Sequence, residues 1–477
     1  MAEQCTARGA RGAVAAAAPS AALIGIEMLR DGGNAYDAAL SAALAETVLL
    51  PPKCGLAGDL IALAWTTDAS QPQALLAIGG APAGLATLAM AGGMHETGPS
   101  SVGVPGAPAG YLALAKRARL PLERLASPAI ELATKGFCWS RICSSLSEES
   151  AELVARHNGA TRYYPEGRAI TPGTVTKLPG LAAAIEALVS DRDRFLEGDV
   201  GKAIVDCVQG HGGILTRSDC ASFARAEWMS VEKGALGNLP LFVTPAPTHG
   251  AALSRALAAV DESTQFPAAA VHTGIMQAIA WQRRELSDPN GTSMVSAVDE
   301  AGTMVTIVHS NSYPRFGSGL IVGRYDLVLA NRAGRGFSAE PAHPNFPIAG
   351  RRPATTLHAW AVLGPRGLRL QGATPGGANQ MPWNAQTLAR LVHGELDIGR
   401  LVVAPRWEWI PASNGLRLEE GFAAEEETAL LSAAAGKIDR VERWAIHSAM
   451  QIIAVDRERG VISAAADPRT VGAALAF

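Results

Sequence analysis

Charge of either sign is scarce in this chain, and what there is nearly cancels. Only 18% of the 477 residues are Asp, Glu, Lys or Arg, and 44 acids against 41 bases leave a formal net charge of −3. A nucleic-acid surface needs a basic excess or stripe, so that class of partner is excluded. Aromatic residues make up only 5%, so the core has to be built from aliphatic side chains and alanine. No run of about 18 or more apolar, charge-free residues occurs, which argues against a membrane-spanning helix. The ten histidines are scattered, with no His-x-x-His or His-x-x-x-His pair to supply a helical metal site. The six cysteines, Cys5, Cys54, Cys138, Cys143, Cys207 and Cys220, all fall in the first half, at spacings that suit neither zinc nor a disulfide framework. Residues 1–19 are alanine-rich but interrupted by Arg8 and Arg11, without the continuous apolar stretch of a signal peptide. Together these absences predict a cytoplasmic protein without metal or cofactor.

What is present is material for a large core, 48% of the chain being hydrophobic. Ser20 is expected to cap a helix with Leu23, Ile26 and Leu29 on its apolar face, stopped by Gly32-Gly33. Asn34, with Asp37 three residues on as reciprocal partner, opens a second, alanine-rich helix that runs to Leu50. A glycine turn, Cys54 to Asp59, then leads into a strand. The most informative stretch is Ser287 to Asp299. Asp288-Pro289 and Asn290-Gly291 are adjacent turn signals, after which the chain becomes strand-like. Thr292–Val298 and Thr303–Ser310 are rich in β-branched residues and flank Glu300-Ala301-Gly302, the pattern of a hairpin. A threonine thus begins a strand directly after a turn, the place an N-terminal nucleophile takes if the chain is cut before it.

Several blocks resemble, in order, the γ-glutamyltranspeptidase family. Gly32-Gly33-Asn34-Ala35-Tyr36-Asp37-Ala38-Ala39 and the Pro-x-x-x-Gly-x-x-Gly turn after it are similar to that family's opening. Val104-Pro105-Gly106, the Pro121–Phe137 segment, Pro245 to Gly250, Ala404-Pro405-Arg406 and Ala466-Asp467-Pro468-Arg469 continue the match along the chain. The resemblance implies an α+β fold, the four-layer αββα sandwich of N-terminal-nucleophile hydrolases. It also implies a precursor that cuts itself between Gly291 and Thr292. The products are a large subunit, 1–291, and a small one, 292–477, that remain together as a heterodimer, with a dimer of these left open. Thr292 is then the nucleophile: its hydroxyl attacks the Gly291 carbonyl, and the freed α-amine, with a pKa of about 8, becomes its base. Gly376 and Gly377 resemble the family's oxyanion turn, whose N–H groups face the developing alkoxide. Ser310 stands in for a threonine that supports the nucleophile. Thr355 and Thr356 replace a Ser-Ser pair that holds the substrate carboxylate.

The departures concern the substrate. The family's arginine for the α-carboxylate is replaced by Ile78, and the acid for the α-amine falls at Gly336, in a segment that now carries Arg332 and Arg335. An anionic, carboxylate-bearing substrate fits these arginines. Such divergence resembles that of family branches in specialised-metabolite and antibiotic biosynthesis. An ordinary glutathione hydrolase and a non-catalytic binding protein that keeps the fold are the alternatives. Restoring Ile78→Arg with Gly336→Asp is expected to raise γ-glutamyl hydrolysis.

Overall fold

The computed structural model describes residues 2–265, 267–285, 292–434 and 436–477, and places two seven-stranded antiparallel sheets face to face. The first runs Ala473–Ala476, Gly12–Ala16, Ser293–Asp299, Met304–Ser310, Asp59–Trp65, Gln73–Ala77 and Glu227–Ser230. The second runs Thr6–Gly9, Val461–Ala466, Gln451–Asp456, Arg369–Ala373, Trp360–Leu363, Leu239–Val243 and Glu232–Leu236. Successive strand residues point to opposite faces, and the burial follows that rule. From the Ser293–Asp299 strand, Val295 and Ala297 enter the core shared with the helices Pro19–Arg30 and Ala35–Leu49. Met294 and Val298 enter the core between the sheets, with Leu63, Trp65, Ala361 and Ile453. The second sheet is covered on its far side by Gly250–Leu257, Pro267–Glu285 and Gln380–Val392, through Leu253, Ile275 and Leu388. The order helix, sheet, sheet, helix is the expected four-layer sandwich.

The local signals largely explain the elements. Asn34 and Asp37 form the reciprocal cap of the Ala35–Leu49 helix, Asn34 Oδ1 accepting from the Tyr36 and Asp37 N–H groups. Gly302, at φ +82°, turns the hairpin. Asp299 accepts from Thr303 N–H through one oxygen and from Ala35 N–H through the other, tying hairpin to helix. Ser20 does not cap the first helix. Ala18 holds that position and Pro19 begins the helix, its fixed φ already helical. Leu23 is 51% exposed, so the buried face is carried by Ile24, Met28 and Leu29 together with Ile26. No helix among the described residues is long and apolar enough to cross a membrane.

Candidate active site

The hairpin ladder ends with Ser293 opposite His309, and one position further Ser310 pairs with Asp59 on the next strand. Thr292 stands directly before its strand, so Thr292, Ser310 and Asp59 lie at one end of three adjacent strands. Strands are about 4.8 Å apart, which sets Asp59 about 10 Å from Thr292 along this row. Thr292 is only 1% exposed. Gly291, the other half of the expected scissile bond, lies outside the described residues.

The hydroxyl of Thr292 meets the Gln380 amide, with Nε2 donating to Oγ1 at 2.6 Å. Gln380 begins the Gln380–Val392 helix, and Gly376 and Gly377 lie just ahead of it. Both glycines need their residue type: φ is +146° at Gly376 and +61° at Gly377. A Cβ on Gly376 would fall 2.1 Å from the Trp383 ring. The Gly376 and Gly377 N–H groups have no acceptor among the described residues, and they sit at the positive end of the helix. Such a turn can receive an oxyanion.

Thr355 and Thr356 are fully buried. The Thr356 hydroxyl accepts a second bond from Gln380 Nε2 at 3.2 Å, while Thr355 Oγ1 accepts from the Leu357 N–H. Behind them, His358 Nδ1 donates to the Thr356 carbonyl at 2.7 Å, and its Nε2 accepts from Asn384. Burial pushes the His358 imidazole down to about 4, so it is neutral and its tautomer follows from these two partners.

The two arginines separate. Arg335 pairs with Glu96. Arg332 is 3% exposed, and its Nε donates to Asp59 Oδ2 at 2.9 Å. The other Asp59 oxygen accepts from Gly79 N–H at 3.0 Å. Burial raises the Asp59 carboxyl above the ordinary value against the pull of Arg332, and burial lowers the guanidinium. Both terminal nitrogens of Arg332 are buried without a partner among the described residues, beside a small cavity lined by Asp59, Gly79, Val104 and Phe337. Ile78 is fully buried, and a Cβ on Gly336 would stand 2.4 Å from Pro353 Cβ. Gly336→Asp thus has no room at its Cβ, and Ile78→Arg would bury an unpaired guanidinium in the core between the sheets, so the pair is not expected to restore the ordinary clamps. A cavity of about 460 Å³ between Val271, Arg390, Trp407 and Phe422 includes none of these residues.

On the opposite face of the Ser293–Asp299 strand, Glu46 is buried with no exposure. It accepts from Ala17 N–H at 2.7 Å, Ser293 Oγ at 2.7 Å and His309 Nε2 at 3.0 Å. Burial holds the Tyr111 phenol well above its usual value, so it keeps its proton and donates to His309 Nδ1 at 2.8 Å. Glu46, Cys54 and His309 place ligand-type atoms within 4.8 Å of one another. Both Glu46 oxygens and both imidazole nitrogens are already hydrogen-bonded, so the cluster serves as a support for the strand rather than a cation cage. Gln380, Asp59 and Glu46 escaped sequence reading. Glu46 left one sign, an acid between Leu44 and Leu50 in an otherwise apolar helix.

A family model described as gamma-glutamyltranspeptidase matches residues 21–283 and 260–477. The glutathione hydrolase proenzyme of Escherichia coli is 24% identical over 97% of this chain and 91% of its own length. The oxamate amidohydrolase proenzyme of Klebsiella pneumoniae is 25% identical over 95% of this chain and 96% of its own. The crystal structure of a cephalosporin acylase from Bacillus halodurans superposes with a TM-score of 0.84 at 26% identity, covering 99% of this chain and 97% of that one.

Proposed function

The chain belongs to the gamma-glutamyltranspeptidase family, and on that premise we propose that it cuts itself before Thr292 and then hydrolyses or transfers an acyl group that ends in a carboxylate but carries no α-ammonium. The kind of enzyme, a hydrolase or transferase with the N-terminal-nucleophile fold, follows from the family and its acylase relatives. The observation that carries the substrate class is Arg332, a guanidinium buried on Asp59 with both terminal nitrogens unpartnered. A planar fork of that kind suits a carboxylate held by two bonds. The charge absent at Ile78 is replaced from a different segment, while the place for an ammonium partner, Gly336, is closed by Pro353.

In the proposed reaction Thr292 Oγ1 first attacks the Gly291 carbonyl, and water hydrolyses the resulting ester. The chain becomes a large subunit, 1–291, and a small one, 292–477, held together by shared sheets. The free α-amine then takes the hydroxyl proton as Oγ1 attacks the substrate carbonyl. Gly376 and Gly377 N–H stabilise the oxyanion, Ser310 supports the nucleophile, and the proton passes to the leaving amine. Water releases the acyl group, or an acceptor amine takes it. Thr355 and Thr356 complete the polar wall on the far side of Gln380. The corresponding biological setting is cytoplasmic modification of a specialised metabolite such as an antibiotic precursor.

Intact mass tests the first half. The 49.4 kDa chain should resolve into pieces of 291 and 477 − 291 = 186 residues, and Thr292→Ala should stay whole and inactive. Glutaryl p-nitroanilide, the γ-glutamyl compound without its amine, tests the second. Faster turnover of γ-glutamyl p-nitroanilide would return the protein to ordinary glutathione hydrolase chemistry.

A further inference from the structure

The hydroxyl of Thr292 has a neighbour that neither the sequence nor the family motifs brought to attention. Gln380 is fully buried, and its Nε2 lies 2.6 Å from Thr292 Oγ1 and 3.2 Å from Thr356 Oγ1. Its Oε1 is buried without a partner among the described residues. An orphaned amide oxygen in a closed environment is costly to leave unpaired. The orientation follows from the proposed chemistry. If the Thr292 hydroxyl gives its proton to its own α-amine, Oγ1 can only accept from Gln380, so Nε2 is the atom that meets it and Oε1 is left for another donor.

We propose that Gln380 is a further catalytic residue, with Nε2 holding the Thr292 oxygen through attack while Oε1 accepts the N–H of the scissile amide. The inference rests on Thr292 being the nucleophile. In the acylation step the Oγ1–C bond forms and the C–N bond breaks. The hydroxyl proton moves to the α-amine and on to the leaving nitrogen, while Gln380 gains and loses nothing. Its Nε2 donor stabilises charge on Oγ1 as the proton departs. Its Oε1 keeps the substrate nitrogen in register with the carbonyl that Gly376 and Gly377 receive. The same helix start carries all three groups, so their spacing is fixed by one rigid element. A consequence is selectivity: an ester has no N–H to offer, so Oε1 helps only amides.

The experiment compares glutaryl p-nitroanilide with glutaryl p-nitrophenyl ester in three self-processed proteins: wild type, Gln380→Met and Gln380→Glu. Methionine keeps the length without donor or acceptor. Glutamate keeps the shape and an acceptor but replaces the Nε2 donor. Loss of an oxyanion-type donor lowers turnover roughly 10²–10³-fold. The expected result is such a fall in kcat for the anilide in Gln380→Met, with KM little changed, and a distinctly smaller fall for the ester. Gln380→Glu should lose turnover on both substrates and retain more of the amide preference than Gln380→Met. Equal losses on anilide and ester in Gln380→Met would overturn the role of Oε1. Wild-type turnover in both variants would overturn the whole inference. Should Gln380→Met misfold, Gln380→Leu, which also lacks donor and acceptor, takes its place with the same expected and overturning results. Turnover by Thr292→Ala would sink the underlying reading instead, and that outcome is separate from any result at Gln380.

Discussion

Replacing the Asp59–Arg332 pair gives the sharpest test of substrate class, because its effects on stability and on recognition can be separated. The guanidinium and carboxylate are 4% and 3% exposed, 2.9 Å apart. Arg332→Met alone strands a buried carboxylate, a change that destabilises a fold by about 3–5 kcal/mol. The double replacement Asp59→Asn with Arg332→Met removes both charges. The introduced amide oxygen can still accept the Gly79 N–H that Asp59 now holds, and neutral replacement of a whole buried pair leaves stability close to wild type. Recognition behaves differently. Two charge-assisted bonds from the unpartnered terminal nitrogens, at about 1.5 kcal/mol each, give about 3 kcal/mol, or roughly a hundredfold in kcat/KM. The assay is the ratio of kcat/KM for glutaryl over pentanoyl p-nitroanilide, two acyl groups of equal length that differ in the terminal carboxylate. Urea unfolding is measured in parallel. The double variant should unfold like the wild type and lose about two decades of the ratio. A stable double variant that keeps the full glutaryl preference would refute the assignment of Arg332.

Ser293→Ala removes one of the donors to buried Glu46 and should lower stability by about 1–3 kcal/mol in urea unfolding; an unchanged midpoint would show that the bond contributes nothing. His358 has a folded value of about 4 against 6.5 for the free side chain. Between these values the unfolded chain binds the extra proton, so stability is present above pH 6.5 and falls as pH drops towards 4, by about 3 kcal/mol in all. His358→Gln should flatten that part of the pH–stability curve, and an identical acid limb would assign it to other groups. Gly377→Ala, at φ +61°, should lose about 1 kcal/mol of stability and keep its N–H, so a fall in turnover beyond about tenfold would mean the glycine also shapes the oxyanion turn.

The backbone around Thr292 is legible in the sequence because its signals are local. The Asn34 cap, the hairpin at Gly302 and the threonine at a strand start each depend on residues within a few positions of one another. The start of the first helix is ambiguous because Pro19 and Ser20 both favour helix starts, and only the chain direction at Ala18 decides between them. The chemistry of recognition is less visible. Arg332 stands out in the sequence, but its partner Asp59 is 273 residues away, and no spacing rule links them. Gln380 closely follows the recognised Gly376-Gly377 turn, yet at a helix start glutamine ordinarily faces water. It enters the core only because Thr292 arrives from the other sheet.

The first sheet alternates in origin: Gly12–Ala16 and Asp59–Trp65, both from before Thr292, enclose the hairpin strands Ser293–Asp299 and Met304–Ser310, which come after it. Before cleavage this arrangement forms within one chain, so its rate of assembly does not depend on concentration. If the chain is cut before Thr292 as proposed, the same sheet would join two molecules, and refolding from denaturant would become a second-order encounter whose yield falls on dilution. The uncut peptide bond then has a use that ends once the sheet closes: it makes the two halves meet. A processed sample and a Thr292→Ala sample of equal native stability should therefore part company when each is unfolded and returned to native buffer at low concentration.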